Sequence, residues 1–227
     1  MKDDYRDTLL AYYDIVGYSA YVEEKGMEEV KAEMHRFVEA AKNSGANMRG
    51  LNVDLKIDVW IVSDSIVFVL DTSLSSINAT SAKWFLATCS LWLASSLVNF
   101  HIPLRGAIGA GDFYKSGEVL VSTALVDAAH HEKKQDWLGA ALTPKAVERV
   151  TRLQTDLLCE SIAFVGKGKI PSKDGSEKEG YYIKPTIFQT GPDWARIYLP
   201  SWFDREKKKE MIRNSDRLYG APNVGTR

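Results

Sequence analysis

Thr8-Leu9-Leu10-Ala11-Tyr12-Tyr13-Asp14-Ile15-Val16-Gly17 is the stretch whose reading decides the fold. It is short, apolar and aromatic-rich, carries one acid near its end, and is closed by a glycine. That pattern predicts a buried strand. Downstream, Ser19 can cap a helix in which Val30, Met34, Phe37, Val38 and Ala41 recur at helical spacing, until Asn43-Ser44-Gly45 stops the run. From Leu51 to Val62 the chain alternates: Leu51, Val53, Leu55, Ile57, Val59 and Ile61 take one face, and Asn52, Asp54, Lys56, Asp58 and Trp60 the other. Ser63-Asp64-Ser65 is a tight turn and Ile66 to Leu70 returns, so Asp64 tips a hairpin. Asn78 to Phe100 predicts a second helix, with Trp84, Thr88, Leu91, Ser95 and Val98 as its apolar stripe, broadened by Phe85, Trp92 and Leu93. Leu104 to Ala110 predicts another strand, ended by Gly111.

The order is therefore β-α-β-β-α-β. That is an α+β fold with a ferredoxin-like, split βαβ core and a C-terminal extension. The extension reads as a helix around Thr123–Lys134, another from Pro144, and strand-like pieces at Ser161–Val165 and Tyr181–Ile187. Gly166 to Gly180 is rich in Lys, Gly and Ser and predicts a surface loop. Residues 1–200 read as one domain, and 201–227 as an exposed charged helix with a frayed tail.

Composition narrows the function. The 227 residues are 45% hydrophobic and 26% charged, enough for one sizeable core. Lys plus Arg is 29 against 30 for Asp plus Glu, so the basic excess of a general nucleic-acid binder is missing. The apolar run Trp84–Val98 is shorter than a bilayer span and broken by Thr88, Ser90, Ser95 and Ser96. No signal peptide opens the chain, and Cys89 and Cys159 read as buried thiols of a reducing, cytoplasmic protein. No membrane or nucleic-acid partner is expected. Between Thr72 and Leu104 the only formal charge is Lys83, which suits either a sandwiched helix or a subunit contact.

The chemistry lies in the acids. In a β-α-β-β arrangement the strand end at Asp14 and the hairpin tip at Asp64 become neighbours. Two carboxylates with open positions suit Mg²⁺ or Mn²⁺, hard cations that prefer oxygen and keep room for phosphate. Val16-Gly17-Tyr18-Ser19 leads into a helix N-terminus, where backbone N–H groups can hold a phosphate, and this makes Tyr18 a substrate-side candidate.

Tyr13-Asp14-Ile15-Val16-Gly17-Tyr18-Ser19 resembles the metal-binding strand end of class III nucleotidyl cyclases, the adenylate and guanylate cyclase family. Ser63-Asp64-Ser65 resembles their hairpin tip, Leu104 to Gly111 their fourth strand, and Ser122 to Ala129 the helix that follows. The resemblance spans Thr8 to Ile187. It implies two metal ions, Mn²⁺ or Mg²⁺, held by Asp14, Asp64 and the Ile15 carbonyl, and a head-to-tail homodimer acting on a nucleoside triphosphate. Val165-Gly166-Lys167-Gly168-Lys169 is similar to the family's late lysine-glycine-lysine segment, which carries a triphosphate contact to Lys167.

The departures are as informative. Trp60 stands where an adenylate cyclase has its adenine-reading lysine. Val126 and His130 stand where the family has its transition-state asparagine and arginine. A compact cyclase of this kind resembles the pyrimidine cyclases of the bacterial Pycsar anti-phage system, and the segment Ala124 to Leu142, with Glu132, Gln135-Asp136-Trp137 and Gly139, looks like that group. This implies UTP to cyclic UMP and pyrophosphate, with a product that acts on a separate effector. The alternatives are a CTP-specific cyclase and an inactive, regulatory cyclase-like module. Trp60 can stack on a base. Arg105, alone in an apolar strand, can donate to the carbonyls of uracil or cytosine. Asp58 could accept from the cytosine amine instead. His130 and His131 read as surface or partner contacts.

Overall fold

The computed structural model describes residues 2–46, 57–72, 79–117, 119–153, 164–185 and 198–219. The chain runs β1 (Lys2–Ile15), α1 (Tyr18–Lys25), α2 (Met27–Ala46), β2 (Ile57–Val62), β3 (Ser65–Asp71), α3 (Ala79–Phe100), β4 (Leu104–Ser116), β5 (Val119–Ser122), α4 (Thr123–Glu132), β6 (Gly139–Leu142), α5 (Pro144–Leu153), β7 (Val165–Pro171), β8 (Glu177–Ile183) and α6 (Lys209–Tyr219). One mixed sheet holds the strands in the order β2-β3-β1-β4-β6-β8-β7, with β5 paired to β4. The first six major elements form the expected α+β core, in which β3 lies antiparallel between β1 and β2. Leu51–Lys56 and Cys159 lie outside the described residues.

The period-2 pattern of β1 explains the layering. Leu9, Ala11, Tyr13 and Ile15 point into the main core with α2 and α3. Leu10 points to the other face, into a smaller cluster that Tyr12 flanks and that α4 covers through Ala124 and Ala128. Asp14 follows Tyr12 on that second face, one strand-repeat further on.

Four expectations are corrected. The predicted Thr8–Val16 strand runs from Lys2 to Ile15, past a bulge at Asp7, whose φ is 65°. In α3 the buried stripe is Phe85, Leu86, Cys89, Trp92, Leu93 and Ser96, while Leu91, expected inside, is half-exposed. The largest aromatics settle where both sheet and α2 can enclose them, as Trp92 does against Phe37 and Phe68. The Gly166–Gly180 loop is instead the β7–β8 hairpin, with its tip at 172–176. Its composition hid an edge strand: Lys167 and Lys169 are exposed, as charges on an edge often are, while Gly166 sits under the Tyr182 ring.

The fourth correction concerns the C-terminal helix. It docks rather than standing exposed, burying Met211, Asn214 and Ser215. Ser215 Oγ accepts from the Leu138 N–H at 2.8 Å, and Asn214 Nδ2 donates to the Asp136 carbonyl at 2.8 Å. Trp202 and Phe203 join the main core. Among the described residues no helix is long and apolar enough to cross a membrane.

Gly139 shows what the segment before β6 contributes. Its φ is 138°, and a Cβ there would overlap the Trp137 ring and the Tyr219 hydroxyl. Gly139→Ala should therefore cost about 2–4 kcal/mol from backbone strain plus overpacking. Urea unfolding measures this, and an unchanged midpoint would contradict the packing described.

Candidate functional site

The site forms where three chain segments meet at one end of the second sheet face. β1 delivers Asp14. The β2–β3 turn delivers Asp64, with Ser63 in the left-handed region at φ 58°. The Ile15 N–H donates to the Asp64 carbonyl at 3.2 Å, which pins the hairpin tip to the end of β1. The Ile15 backbone thus lies between the two acids in the chain path. Tyr12 shares the face with Asp14, and its hydroxyl hydrogen-bonds Ser65 Oγ at 2.8 Å.

β4 adds Arg105, the direct cross-strand partner of Asp14. Its Nη2 lies 3.7 Å from Asp14 Oδ2. Its Nε donates to Glu132 Oε1, from the last residue of α4. The Glu132 side chain is 3% exposed and that of Arg105 11%. An acid at a helix C-terminus opposes the helix dipole, so it needs a cation there, and Arg105 supplies it.

Burial pushes the Asp14 carboxyl up to about 6, and the negative charges of Glu132 and Asp64 push the same way; Arg105 and Lys173 oppose them. Tyr12 is raised too, mainly by burial, with Asp14, Glu132 and Asp64 adding to it. The two effects describe one crowded acid cluster that a cation would relieve. All the donors are hard oxygens, the set that suits Mg²⁺ or Mn²⁺. Among the described residues no three His, Cys, Asp or Glu side chains form a metal cage on their own. A two-carboxylate site of this kind completes its coordination with backbone, substrate or water oxygens. An open cleft of about 660 Å³ lies elsewhere, between α1 and residues 201–206, and holds none of these groups.

Of the residues singled out by sequence, Asp14, Ile15, Asp64 and Arg105 meet here. Tyr18 begins α1 just beyond Gly17, which caps that helix at φ 87° without a side-chain hydrogen bond. Trp60 shares the face of Asp14 but sits one pleat back, on the edge strand β2. Its ring stacks on Phe113, with centroids 6.3 Å apart, and the Lys115 ammonium lies 3.2 Å from its centroid. A stacked base would have to displace Lys115. Lys167 does not join the cluster. It pairs with Tyr181, whose ring packs on the main core, so Lys167 lies on the opposite sheet face, with β4, β6 and β8 between it and β1. Val126 and His130 are exposed on α4, and Val126 is 54% exposed.

Sequence reasoning missed the structural duties of Tyr12, Glu132 and Lys173. Tyr12 was legible as the residue two before Asp14. Glu132 was legible as an acid at the wrong end of a helix. Lys173 carried no signal, since its place depends on a hairpin that reads as a loop.

No protein-family model matches the chain, and no curated protein matches it. Solved structures do. The catalytic core of a rhodopsin-guanylyl cyclase with converted specificity, in complex with ATPalphaS, superposes with TM-score 0.55 at 11% identity, covering 81% of this chain and 97% of that one. The adenylyl cyclase CyaB from P. aeruginosa gives 0.51 at 11% identity, covering 81% and 95%. An adenylate/guanylate cyclase/hydrolase from Silicibacter pomeroyi gives 0.50 at 15% identity, covering 88% and 100%. At these identities the likeness shows the fold, and the fold is that of class III cyclase catalytic domains.

Proposed function

We propose that this chain is a nucleotidyl cyclase that converts UTP to cyclic UMP and pyrophosphate, with Asp14, Asp64 and the Ile15 carbonyl holding two Mn²⁺ or Mg²⁺ ions. One observation carries the reading: on a cyclase-like fold, the β1 end and the β2–β3 tip bring these two acids together beside a buried Arg–Glu pair. When bound, the metal pair would supply charge neutralisation for a triphosphate and lower the pKa of the attacking 3′-hydroxyl. Asp14 and Asp64 bind and orient. Arg105, held by Glu132 through Nε, keeps its Nη2 beside Asp14. The first-turn N–H groups of α1, near Tyr18, offer a further phosphate contact.

The base preference rests on Trp60. It puts an indole where a purine-reading lysine would stand, which shortens the pocket and favours a one-ring base. Arg105 brings donors only, and uracil offers two carbonyls, whereas cytosine adds an amine that costs about 1–3 kcal/mol if buried unpaired. Asp58 is the acceptor that could reverse this in favour of CTP. We further propose a head-to-tail homodimer, Lys167 as a phosphate contact reaching the partner's acids, a cytoplasmic location, and a product that serves anti-phage defence through a separate effector. The exposed Val126 and His130 favour a second reading, an inactive cyclase-like module.

Incubation with all four ribonucleoside triphosphates and Mn²⁺, followed by mass analysis, separates these readings. Cyclic UMP should dominate an equal UTP–CTP mixture by roughly tenfold, since 1.4 kcal/mol is a factor of ten. Predominant cyclic CMP would reassign the base, a purine product would overturn the reading of Trp60, and no product at all would favour the inactive module. Sedimentation should give a dimer; a monomer that still cyclises would refute the two-chain site.

A further inference from the structure

Arg105 stands between two carboxylates from different elements, and it is committed to them unequally. Asp14 is its direct partner across the β1–β4 ladder, so the two side chains share the second sheet face. On the other side its neighbour is Gly139 of β6, which brings no side chain. Arg105 Nε donates directly to Glu132 Oε1, whereas Nη2 lies 3.7 Å from Asp14 Oδ2, too long for a hydrogen bond. The guanidinium is thus fastened to α4 and only leans on β1.

The fastening point is itself fixed. Gln135 Nε2 donates to the Gly106 carbonyl at 2.9 Å, one residue from Arg105, and the Gln135 N–H donates to the Glu132 carbonyl at 2.9 Å. The β7–β8 turn adds a third tie, from the Lys173 N–H to the Lys134 carbonyl at 2.8 Å. The end of α4 therefore cannot follow the guanidinium toward Asp14. A divalent ion on the Asp14 carboxylate would meet the Arg105 charge at close range, and their repulsion would weaken its hold. The Nε bond lets Nη2 swing away from Asp14 while the arginine keeps its partner.

We propose that Arg105 is the resident counter-cation of Asp14, which a divalent metal ion must displace, and that Glu132 sets the metal affinity of the site by holding Arg105 back from Asp14. The inference rests on the proposed function only for Asp14 as a metal ligand. Glu132 is a positioning residue, since it acts through Arg105. The Nη2 donors that leave Asp14 become available for the base contact proposed above.

The test is titration of the full-length protein with Mn²⁺ alone, the free ion being read by electron paramagnetic resonance. Glu132→Gln keeps an acceptor for Nε but gives up the charge that holds Arg105 back. Mn²⁺ should then bind about tenfold more weakly, the usual scale for a partner standing behind a metal ligand. Adding Arg105→Gln removes the competitor, and affinity should return to the wild-type value or better. A role in stability alone would leave Mn²⁺ affinity the same in every folded variant. The double variant leaves no unpaired buried charge, so it should fold even where a single variant fails. Arg149→Gln, which breaks the ion pair with Asp7 at the other end of β1, should leave Mn²⁺ affinity unchanged.

Mn²⁺ binding by Glu132→Gln within twofold of wild type would overturn the inference. So would a double variant that stays tenfold weaker than wild type, or a wild-type protein without Mn²⁺ affinity. The expected pattern of Mn²⁺ binding without any cyclic product would refute the cyclase reading and leave the competition at Asp14 standing. Cyclic product from the wild type together with unweakened Mn²⁺ binding by Glu132→Gln would do the reverse.

Discussion

Asp14→Ala and Asp64→Ala are each expected to reduce cyclisation at least a thousandfold while the protein remains folded. Metal charge stabilisation of a developing oxyanion is worth several kcal/mol, and each 1.36 kcal/mol is a factor of ten in rate. The two acids arrive from different elements and are locked by one backbone bond, Ile15 N–H to Asp64 carbonyl, which neither substitution removes. The fold should survive for a second reason. Asp14 is a burdened residue: burial and its acid neighbours push its carboxyl up to about 6, so its charge is a cost in the metal-free protein. For a group whose folded pKa is raised, the ionised state is disfavoured in the fold. Its cost grows as pH rises from the unfolded value of 3.8 through about 6, and is fully present at pH 7. Asp14→Ala removes that cost at neutral pH, so circular dichroism should show a midpoint at least equal to wild type. Measurable turnover by either variant at saturating Mn²⁺, with a native spectrum, would remove the metal assignment.

Glu132→Ala is expected to be the most destabilising single change around the site. It would leave the Arg105 guanidinium, 11% exposed, without its main partner. Breaking a buried pair by removing one member costs about 3–5 kcal/mol. Asp14, at 3.7 Å from Nη2, offsets part of it, which places the loss near 3 kcal/mol. For a chain of this size that lowers the thermal midpoint by about 6–12 °C. Glu132→Gln keeps an acceptor for Arg105 Nε and should lose less. The double variant Glu132→Ala with Arg105→Ala leaves no unpaired charge, so it should be more stable than the sum of the two single losses implies. Additive losses, or a midpoint shift below 2 °C for Glu132→Ala, would show that the pair carries no such weight.

Particular elements show how far local pattern reaches. Periodicity alone located β1, the β2–β3 hairpin and α3, because each buries a face through a repeat readable within ten or twenty residues. The same reading marked Asp14 as an acid closing an apolar strand and Asp64 as an acid at a tight turn, and the motif resemblance then made them the candidate metal ligands. It failed on the β7–β8 hairpin, where lysines and glycines serve as edge-strand residues but spell a loop. It also failed on the side of α3 that faces inward: nearly the whole helix is apolar, so periodicity selects no face.

By itself the sequence determined the α+β order, the absence of a basic surface excess, and the two acids that define the candidate site. Only the tertiary structure decided that Glu132 holds Arg105, that the β7–β8 turn bonds to the end of α4 while Lys167 lies across the sheet, and that α6 closes over Trp137 and Tyr182. The reason is range. Backbone propensity and amphipathic period act over a few residues, whereas a buried ion pair between positions 105 and 132, or a turn clamped from 173 onto 134, depends on strand register and helix docking that no single segment encodes.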